Sequence, residues 1–251
     1  MIDLRGKKVL ITGGSRGIGA ACCRAFAAAG ASVAVHYRAD EAAARAVEEA
    51  CAAAHDGDHL RIAADLATAN GADELFGVLE ARWNGLDCLV NNAGIWVHNP
   101  LEDYDDRLAA ETWELNVAAV FRATARAVEW LRRSEDGNVV SISSTAGQRG
   151  EAEYSPYAAS KGALIAATKS WSTELAPEVR VNSVAPGWVD TDMCSGVFAD
   201  GGREEIEASI PLRRVATAED IAGPVLFLAS PLARHVTGEI LNVNGGSVLA
   251  G

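Results

Sequence analysis

Positive charge is scarce in this chain. Its 251 residues carry 22 Lys and Arg against 34 Asp and Glu, a formal net charge of −12 at pH 7. Nucleic acids and anionic membranes are held by cations that neutralise phosphate, so this balance excludes both as partners and leaves small molecules and other proteins. Also lacking is any apolar run near the roughly 20 residues that cross a bilayer. The opening stretch MIDLRGKKVLITGG moves straight into a folded pattern without a cationic and apolar leader, so a cytoplasmic protein is expected. Cysteine is sparse, at five residues, and no two form a C-x-x-C pair, which excludes a disulfide framework. Cys22, Cys23, Cys51 and Cys88 read as small buried hydrophobes, and Cys194, in a loop segment, as the thiol open to reaction. His and Cys have no metal-ligand spacing, so no metal is expected. No linker or repeat divides the chain, and its length suits one domain over residues 1–251.

What is present is a strict alternation. Short apolar runs at Val9–Thr12, Ser32–His36, Leu60–Ala64, Leu86–Asn91, Asn138–Ser143, Arg180–Val184 and Ile240–Val243 read as strands. Between them, Gly17–Ala29, Glu41–Ala54, Ala72–Arg82, Arg107–Arg133, Tyr157–Ala176 and Ala218–Ser230 carry apolar or Ala positions at helical spacing. Parallel strands need helical crossovers, so this pattern predicts an α/β fold, a Rossmann-type doubly wound parallel sheet of about seven strands with helices on both faces. Residues 192–211 break the rhythm with Cys194, Ser195, Gly196, Asp200, Gly201 and Gly202, then a short helix near Glu204–Ala208. Ligands of such sheets bind beyond the carboxyl ends of the strands, which makes this excursion a candidate substrate lid.

The first strand runs into Thr12-Gly13-Gly14-Ser15-Arg16-Gly17-Ile18-Gly19 and then a helix. Glycines there let the backbone approach a pyrophosphate, whose charge meets the free N–H groups and positive dipole end of the helix. The second strand ends Val35-His36-Tyr37-Arg38, without the carboxylate that normally holds a ribose 2'-hydroxyl. Arg16 and Arg38 favour a 2'-phosphate, so NADP(H) is expected over NAD(H); Asp40 and Glu41 are the carboxylates that would serve the opposite choice.

Further on stand Ser143-Ser144-Thr145-Ala146-Gly147 and Tyr157-Ala158-Ala159-Ser160-Lys161. A Tyr and a Lys at i and i+4 share one helix face, about 5–6 Å apart at Cβ. An ammonium there stabilises phenolate and brings a phenol that titrates near 10 closer to the working pH, as acid–base catalysis requires. The glycine turn, Asp65-Leu66, Asn91-Asn92-Ala93-Gly94, Asn116-Val117, Ser144, Tyr157 with Lys161, and Pro186-Gly187-Trp188-Val189-Asp190-Thr191 follow one another in the order and spacing of a known family. Over essentially its whole length the sequence resembles the short-chain dehydrogenase/reductase family (SDR).

The resemblance implies an oxidoreductase that moves a hydride between nicotinamide and a carbonyl or secondary alcohol. It implies a catalytic set of Asn116, Ser144, Tyr157 and Lys161: Tyr157 protonates the carbonyl oxygen, Lys161 lowers its pKa and holds the nicotinamide ribose, Ser144 polarises the carbonyl, and Asn116 holds a relay water. Cofactor binding falls by the same resemblance to Gly13, Ser15, Arg16, Gly17, Ile18, Gly19, Tyr37 and Arg38, to Asp65 and Leu66 at adenine, and to Asn92, Ala93 and Gly94 at its ribose. Pro186, Gly187, Val189 and Thr191 serve the nicotinamide end, together with Tyr157 and Lys161. Within the family, Val236–Gly246 with Asn244 and the stretch 186–193 are most similar to 3-oxoacyl-[acyl-carrier-protein] reductases. That implies a 3-oxoacyl thioester substrate, with a free ketone, sugar or cyclic alcohol as the alternative and a non-catalytic dinucleotide sensor as a remote one. An acidic acyl carrier protein would meet mixed charge at Arg132, Arg133, Glu135, Asp136 and Glu178, which weighs against it as partner. Ile95, Trp96, Val97, Gln148, Arg149, Tyr154 and Trp188 are the pocket candidates. The family also implies a homotetramer or homodimer through the two long helices and the C-terminal strand.

Overall fold

A computed structural model describes residues 2–199 and 201–249; of the lid segment, Asp200 lies outside the described residues. Seven strands form one wholly parallel sheet: β1 (Lys8–Ile11), β2 (Ser32–Tyr37), β3 (Leu60–Ala63), β4 (Cys88–Asn91), β5 (Gly137–Ile142), β6 (Val179–Pro186) and β7 (Ile240–Val243). Their order is β3-β2-β1-β4-β5-β6-β7, so the chain reverses direction across the sheet between β1 and β4. At such a switch point the two neighbouring loops diverge and leave a crevice beyond the carboxyl ends.

The helices that make the crossovers are α1 (Gly17–Ala28), α2 (Glu41–Ala54), α3 (Gly71–Arg82), α4 (Asp106–Trp113), α5 (Ala119–Arg133), α6 (Thr145–Arg149), α7 (Ser155–Glu174), α8 (Gly202–Ser209) and α9 (Ala218–Ala229). Side chains of a strand alternate between faces, and both faces here are apolar. Val9 and Ile11 of β1 join Phe26 of α1, Val47 of α2 and Ile221 of α9 in one buried layer. Leu10, between them in sequence, joins Leu75 and Leu79 of α3 and Ala123 and Leu131 of α5 on the other side. Trp83 is fully buried at the end of α3 and donates its indole N–H to Asp58 at 3.1 Å.

Two elements depart from the pattern read in the sequence. The stretch Arg107–Arg133 is not one helix: a π turn at Glu114–Ala118 separates α4 from α5. Helical periodicity continues through it, but one extra residue enters the turn, as is common at functional sites. The five residues of α6, directly after Ser144, are too few to show a periodicity. Among the described residues, no helix is long and apolar enough to cross a membrane.

Candidate active site

The chain leaves β1 through a turn that only glycine permits. Gly13 and Gly17 have φ of 63° and 52°, the left-handed region. Gly19 is required by packing instead: a Cβ there would lie 2.1 Å from the Gly13 carbonyl oxygen and 2.6 Å from the Asn92 amide nitrogen. Ser15 is half-buried in the turn, and Ile18 packs on the core beneath it. Arg16 occupies the N-cap of α1 without a capping side-chain bond, and the first turn holds no acidic residue. The leading N–H groups of α1 therefore face the crevice uncapped, which is the arrangement that receives a phosphate.

Neighbouring strands brace this turn. Thr12 Oγ1 accepts the backbone N–H of Asn92 at 2.9 Å and of Ala93 at 3.0 Å, while Asn92 Nδ2 donates to the carbonyls of Thr12 and Gly13 at 2.9 and 3.0 Å. His36, unassigned by the sequence reading, is buried in β2. Its Nδ1 accepts the Gly13 N–H at 3.0 Å, and its Nε2 faces the Ala64 carbonyl at 3.1 Å, so the neutral ring with its proton on Nε2 satisfies both. Burial lowers its pKa, which keeps it neutral.

Where the cofactor's adenosine ribose would lie, Tyr37 is buried and Arg38 exposed, and Arg38 has no ion pair among the described residues. Arg16 is also exposed, its guanidinium 3.9 Å from Asp192. The two carboxylates that could have served a 2'-hydroxyl are engaged elsewhere. Asp40 caps α2 by accepting from the Ala43 N–H at 2.9 Å, and Glu41 pairs with Arg45 at 3.0 Å and Arg61 at 3.4 Å. Asp65 accepts the Ala67 N–H at 3.0 Å beside the buried Leu66, whose carbonyl is held by Arg122 at 3.1 Å.

The four residues expected to be catalytic converge. Ser144 follows β5 as the N-cap of α6, its hydroxyl accepting from Ala146 N–H at 3.0 Å and lying near enough to Tyr157 to lower that phenol's pKa. Gly147 makes that meeting possible, because a Cβ there would lie 2.6 Å from the Lys161 carbonyl carbon on α7. Lys161 Nζ is buried, 5.8 Å from the centre of the Tyr157 ring, and donates to the Ile142 carbonyl at 2.8 Å. Burial lowers its pKa to about 8. Burial raises that of Tyr157, the Ser144 bond opposing it, so the expected lowering by Lys161 is not the dominant influence: the ammonium is directed at Ile142. The phenol stays protonated at neutral pH, the form a proton donor needs.

Asn116 sits within the π turn. Its Oδ1 accepts the Ile95 N–H at 2.9 Å, and its Nδ2 donates to the Ile95 carbonyl at 2.9 Å and to Ser160 Oγ at 3.0 Å. A Cβ on Gly94 would lie 3.0 Å from Asn116 Oδ1 and 3.4 Å from Lys161 Nζ, so the backbone passes directly over both. Beyond β6, Pro186 pairs with Val243, the Gly187 N–H donates to the Val243 carbonyl at 3.1 Å, and Val189 is buried. Thr191 faces the glycine turn, its methyl 3.3 Å from where a Gly17 Cβ would be.

Loops after β4, β5 and β6 raise an aromatic wall beside this centre. Trp96 stacks on Tyr154 with centroids 4.3 Å apart and planes within 11°, and Trp188 meets Trp96 edge-on at 5.9 Å. Phe198 of the lid segment lies 6.1 Å from Trp188, with the Arg203 guanidinium 5.2 Å from its centroid and paired with Asp190 at 2.7 Å. Ile95 and Val97 are half-buried in the same loop, and Arg149 is exposed. Gln148 does not belong to the wall as expected: it donates to Asn242 on β7 at 2.6 Å and faces that strand. Cys22, Cys23, Cys51 and Cys88 are buried, and burial raises the half-buried Cys194 thiol, which disfavours thiolate. Among the described residues, no group of three His, Cys, Asp or Glu could hold a metal.

Comparison with known proteins agrees with this geometry. A family model described as enoyl-(acyl carrier protein) reductase matches residues 13–247. The chain is 37% identical over 255 residues to a 3-oxoacyl-[acyl-carrier-protein] reductase of Synechocystis sp., covering 99% of this chain and 100% of the relative. It is 38% identical over 258 residues to 3beta-hydroxysteroid dehydrogenase 1 of Eggerthella lenta, covering 98% and 95%. Among solved structures, a short-chain dehydrogenase/reductase of Brucella melitensis superposes with a TM-score of 0.92 at 32% identity over 99% of both chains. The Pseudomonas aeruginosa RhlG/NADP active-site complex does so with a TM-score of 0.92 at 33% identity over 98% of both.

Proposed function

The chain belongs to the short-chain dehydrogenase/reductase family and is an oxidoreductase acting on CH–OH groups, and from that premise we propose that it reduces a ketone with NADP(H) as cofactor. The observation that carries this reading is the meeting of Tyr157, Ser144 and Lys161 at the crevice below the aromatic wall. The glycine cradle and the uncapped start of α1 fit a pyrophosphate. Arg38 without an ion pair, and Asp40 and Glu41 engaged elsewhere, support the 2'-phosphate form. When bound, the nicotinamide supplies or accepts the hydride.

The chain's own residues handle the proton. Tyr157, a neutral phenol at working pH whose pKa burial raises further, donates to the carbonyl oxygen as negative charge develops there, and Ser144 donates a second bond that polarises the same oxygen. Lys161, with a pKa of about 8, sits one helical turn away to restore the proton, and Asn116 orients the water that feeds it. Val189 and Thr191 hold the carboxamide, Asp65 and Leu66 the adenine, and residues 192–211 close over the substrate.

A 3-oxoacyl thioester as substrate is supported by the names of several relatives, and the flat aromatic wall favours a ring ketone as a second reading. Replacing Tyr157 by Phe should lower kcat by about 10²–10⁴-fold, the contribution of a positioned proton donor. NADPH binding, followed by its fluorescence, should stay nearly intact. Substantial residual turnover would sink the assignment.

Oligomerisation is part of the same proposal. Trp113 of α4 and Phe121 of α5 are exposed, and Phe121 meets Trp171 of α7 at 4.7 Å, an apolar patch along the two long helices that a second copy would cover. A homodimer or homotetramer is expected, and a light-scattering mass equal to the 26.2 kDa monomer would contradict it.

A further inference from the structure

Glu151 stands in the aromatic wall, and the proton chemistry above does not use it. Its Oε2 accepts the Trp96 indole N–H at 3.3 Å, and its Oε1 has no partner among the described residues. The side chain is half-buried, which raises its pKa, and its charge acts on both Tyr157 and Cys194. Oε1 is not sealed from solvent, so a ligand that brings a donor can reach it, and a hydrogen bond to a charged acceptor is among the stronger ones.

The surrounding shape is specific. Trp96 and Tyr154 lie parallel within 11°, and Trp188 stands at 85° to Trp96, so two aromatic planes form a corner beside the reaction centre. A planar ring system covers such a corner through stacked and edge contacts that a flexible acyl chain does not make. The neighbouring acids are paired, Glu153 with His98 at 3.3 Å, Asp190 with Arg203 at 2.7 Å and Asp192 with Arg16 at 3.9 Å, whereas Glu151 has no such ion pair among the described residues.

We propose that Glu151 is a specificity-determining residue, and that the site takes a flat ring ketone whose hydroxyl group donates to the free carboxylate oxygen while its rings lie against Trp96 and Trp188. This rests on the ketone-reductase reading and narrows it to a substrate class. The hydroxyl fixes one end of the ring system and so delivers the ketone at the other end to Tyr157.

The test measures NADPH consumption with the positional isomers of hydroxy-1-tetralone and with their methyl ethers, which match them electronically but cannot donate. For at least one position, the hydroxy compound should exceed its ether by about tenfold or more in kcat/KM, the scale of a hydrogen bond to a charged acceptor. In Glu151→Leu that ratio should fall to about one, whereas Glu151→Gln, which still accepts through its carbonyl but without charge, should give an intermediate ratio. Circular dichroism and NADPH fluorescence establish that the variants fold and bind cofactor. A ratio near one at every position in the wild type overturns the inference, as does a ratio unchanged in Glu151→Leu. Faster turnover of acetoacetyl-CoA than of every tetralone also overturns it; all three results leave the ketone-reductase reading standing. Absence of turnover on every carbonyl despite NADPH binding would remove both.

Discussion

A buried ammonium weakens the fold that holds it, and Lys161 shows by how much. In an open chain a lysine titrates at 10.5, but within α7 burial brings it to about 8. Below pH 8 the group is charged in both the folded and the unfolded chain, and the folded state carries the whole penalty. At 1.36 kcal/mol per pH unit, that is about 3 kcal/mol. Between pH 8 and 10.5 the unfolded chain binds the proton more tightly, so this penalty fades as pH rises. Lys161→Met removes the charge and leaves the Ile142 carbonyl without its donor, a loss that does not vary with pH. The stability of Lys161→Met relative to the wild type, from urea unfolding, should therefore fall by about 3 kcal/mol between pH 7 and pH 10.5. A difference that stays constant would show that Lys161 is not desolvated as described. Such a cost fits the proton-relay role proposed for Lys161, since perturbed groups cluster at functional sites.

The π turn at Glu114–Ala118 turns one residue into a clamp. From this turn the Asn116 amide holds both backbone groups of Ile95 and Ser160 Oγ at once. Asn116→Ala strands two backbone groups of the loop that follows β4, at a cost of roughly 2–4 kcal/mol. Hydrogen exchange at the Ile95 amide should accelerate well beyond any change at Val90 in β4, and equal protection at both would contradict the clamp. This element also marks what the sequence could convey. Strand positions were legible to within one or two residues, because buried parallel strands are continuous apolar runs and each is bounded by turn residues. The glycine turn and the Tyr157 and Lys161 pair were legible because their function depends on local spacing. The π turn was not, since α4, the turn and α5 share one unbroken helical composition. The bracing role of His36 and the turn of Gln148 away from the pocket were not legible for another reason: their partners, Gly13 and Asn242, lie far away in sequence and meet them only through sheet order.

Across the whole molecule, the charge of −12 is unevenly used. Many arginines are bound to neighbouring carboxylates: Arg45 and Arg61 at Glu41, Arg82 at Asp58, Arg107 at Glu111, Arg126 at Asp73 and Glu80, and Arg214 at Asp220. Arg38 has no such pair among the described residues, while at the substrate mouth Glu153, Asp190 and Asp192 are paired with His98, Arg203 and Arg16, so what an acidic partner meets is the net charge of −12. An acidic carrier protein would approach against this field. Mobile ions screen exposed charges beyond about 10 Å at 0.1 M salt, and repulsion between like-charged partners weakens accordingly. With a carrier-bound 3-oxoacyl substrate at fixed saturating NADPH, kcat/KM should rise severalfold as salt increases from roughly 0.02 to 0.2 M, where screening sets in. The same acyl group on N-acetylcysteamine, which is uncharged, should show a nearly flat dependence, separating screening of the encounter from any effect of salt on the enzyme. A fall in kcat/KM for the carrier alone would mean that a local basic patch outweighs the net charge and that a carrier docks by attraction. A rise would mean that the net negative charge repels such carriers, consistent with a site that meets its substrate as a free ring ketone.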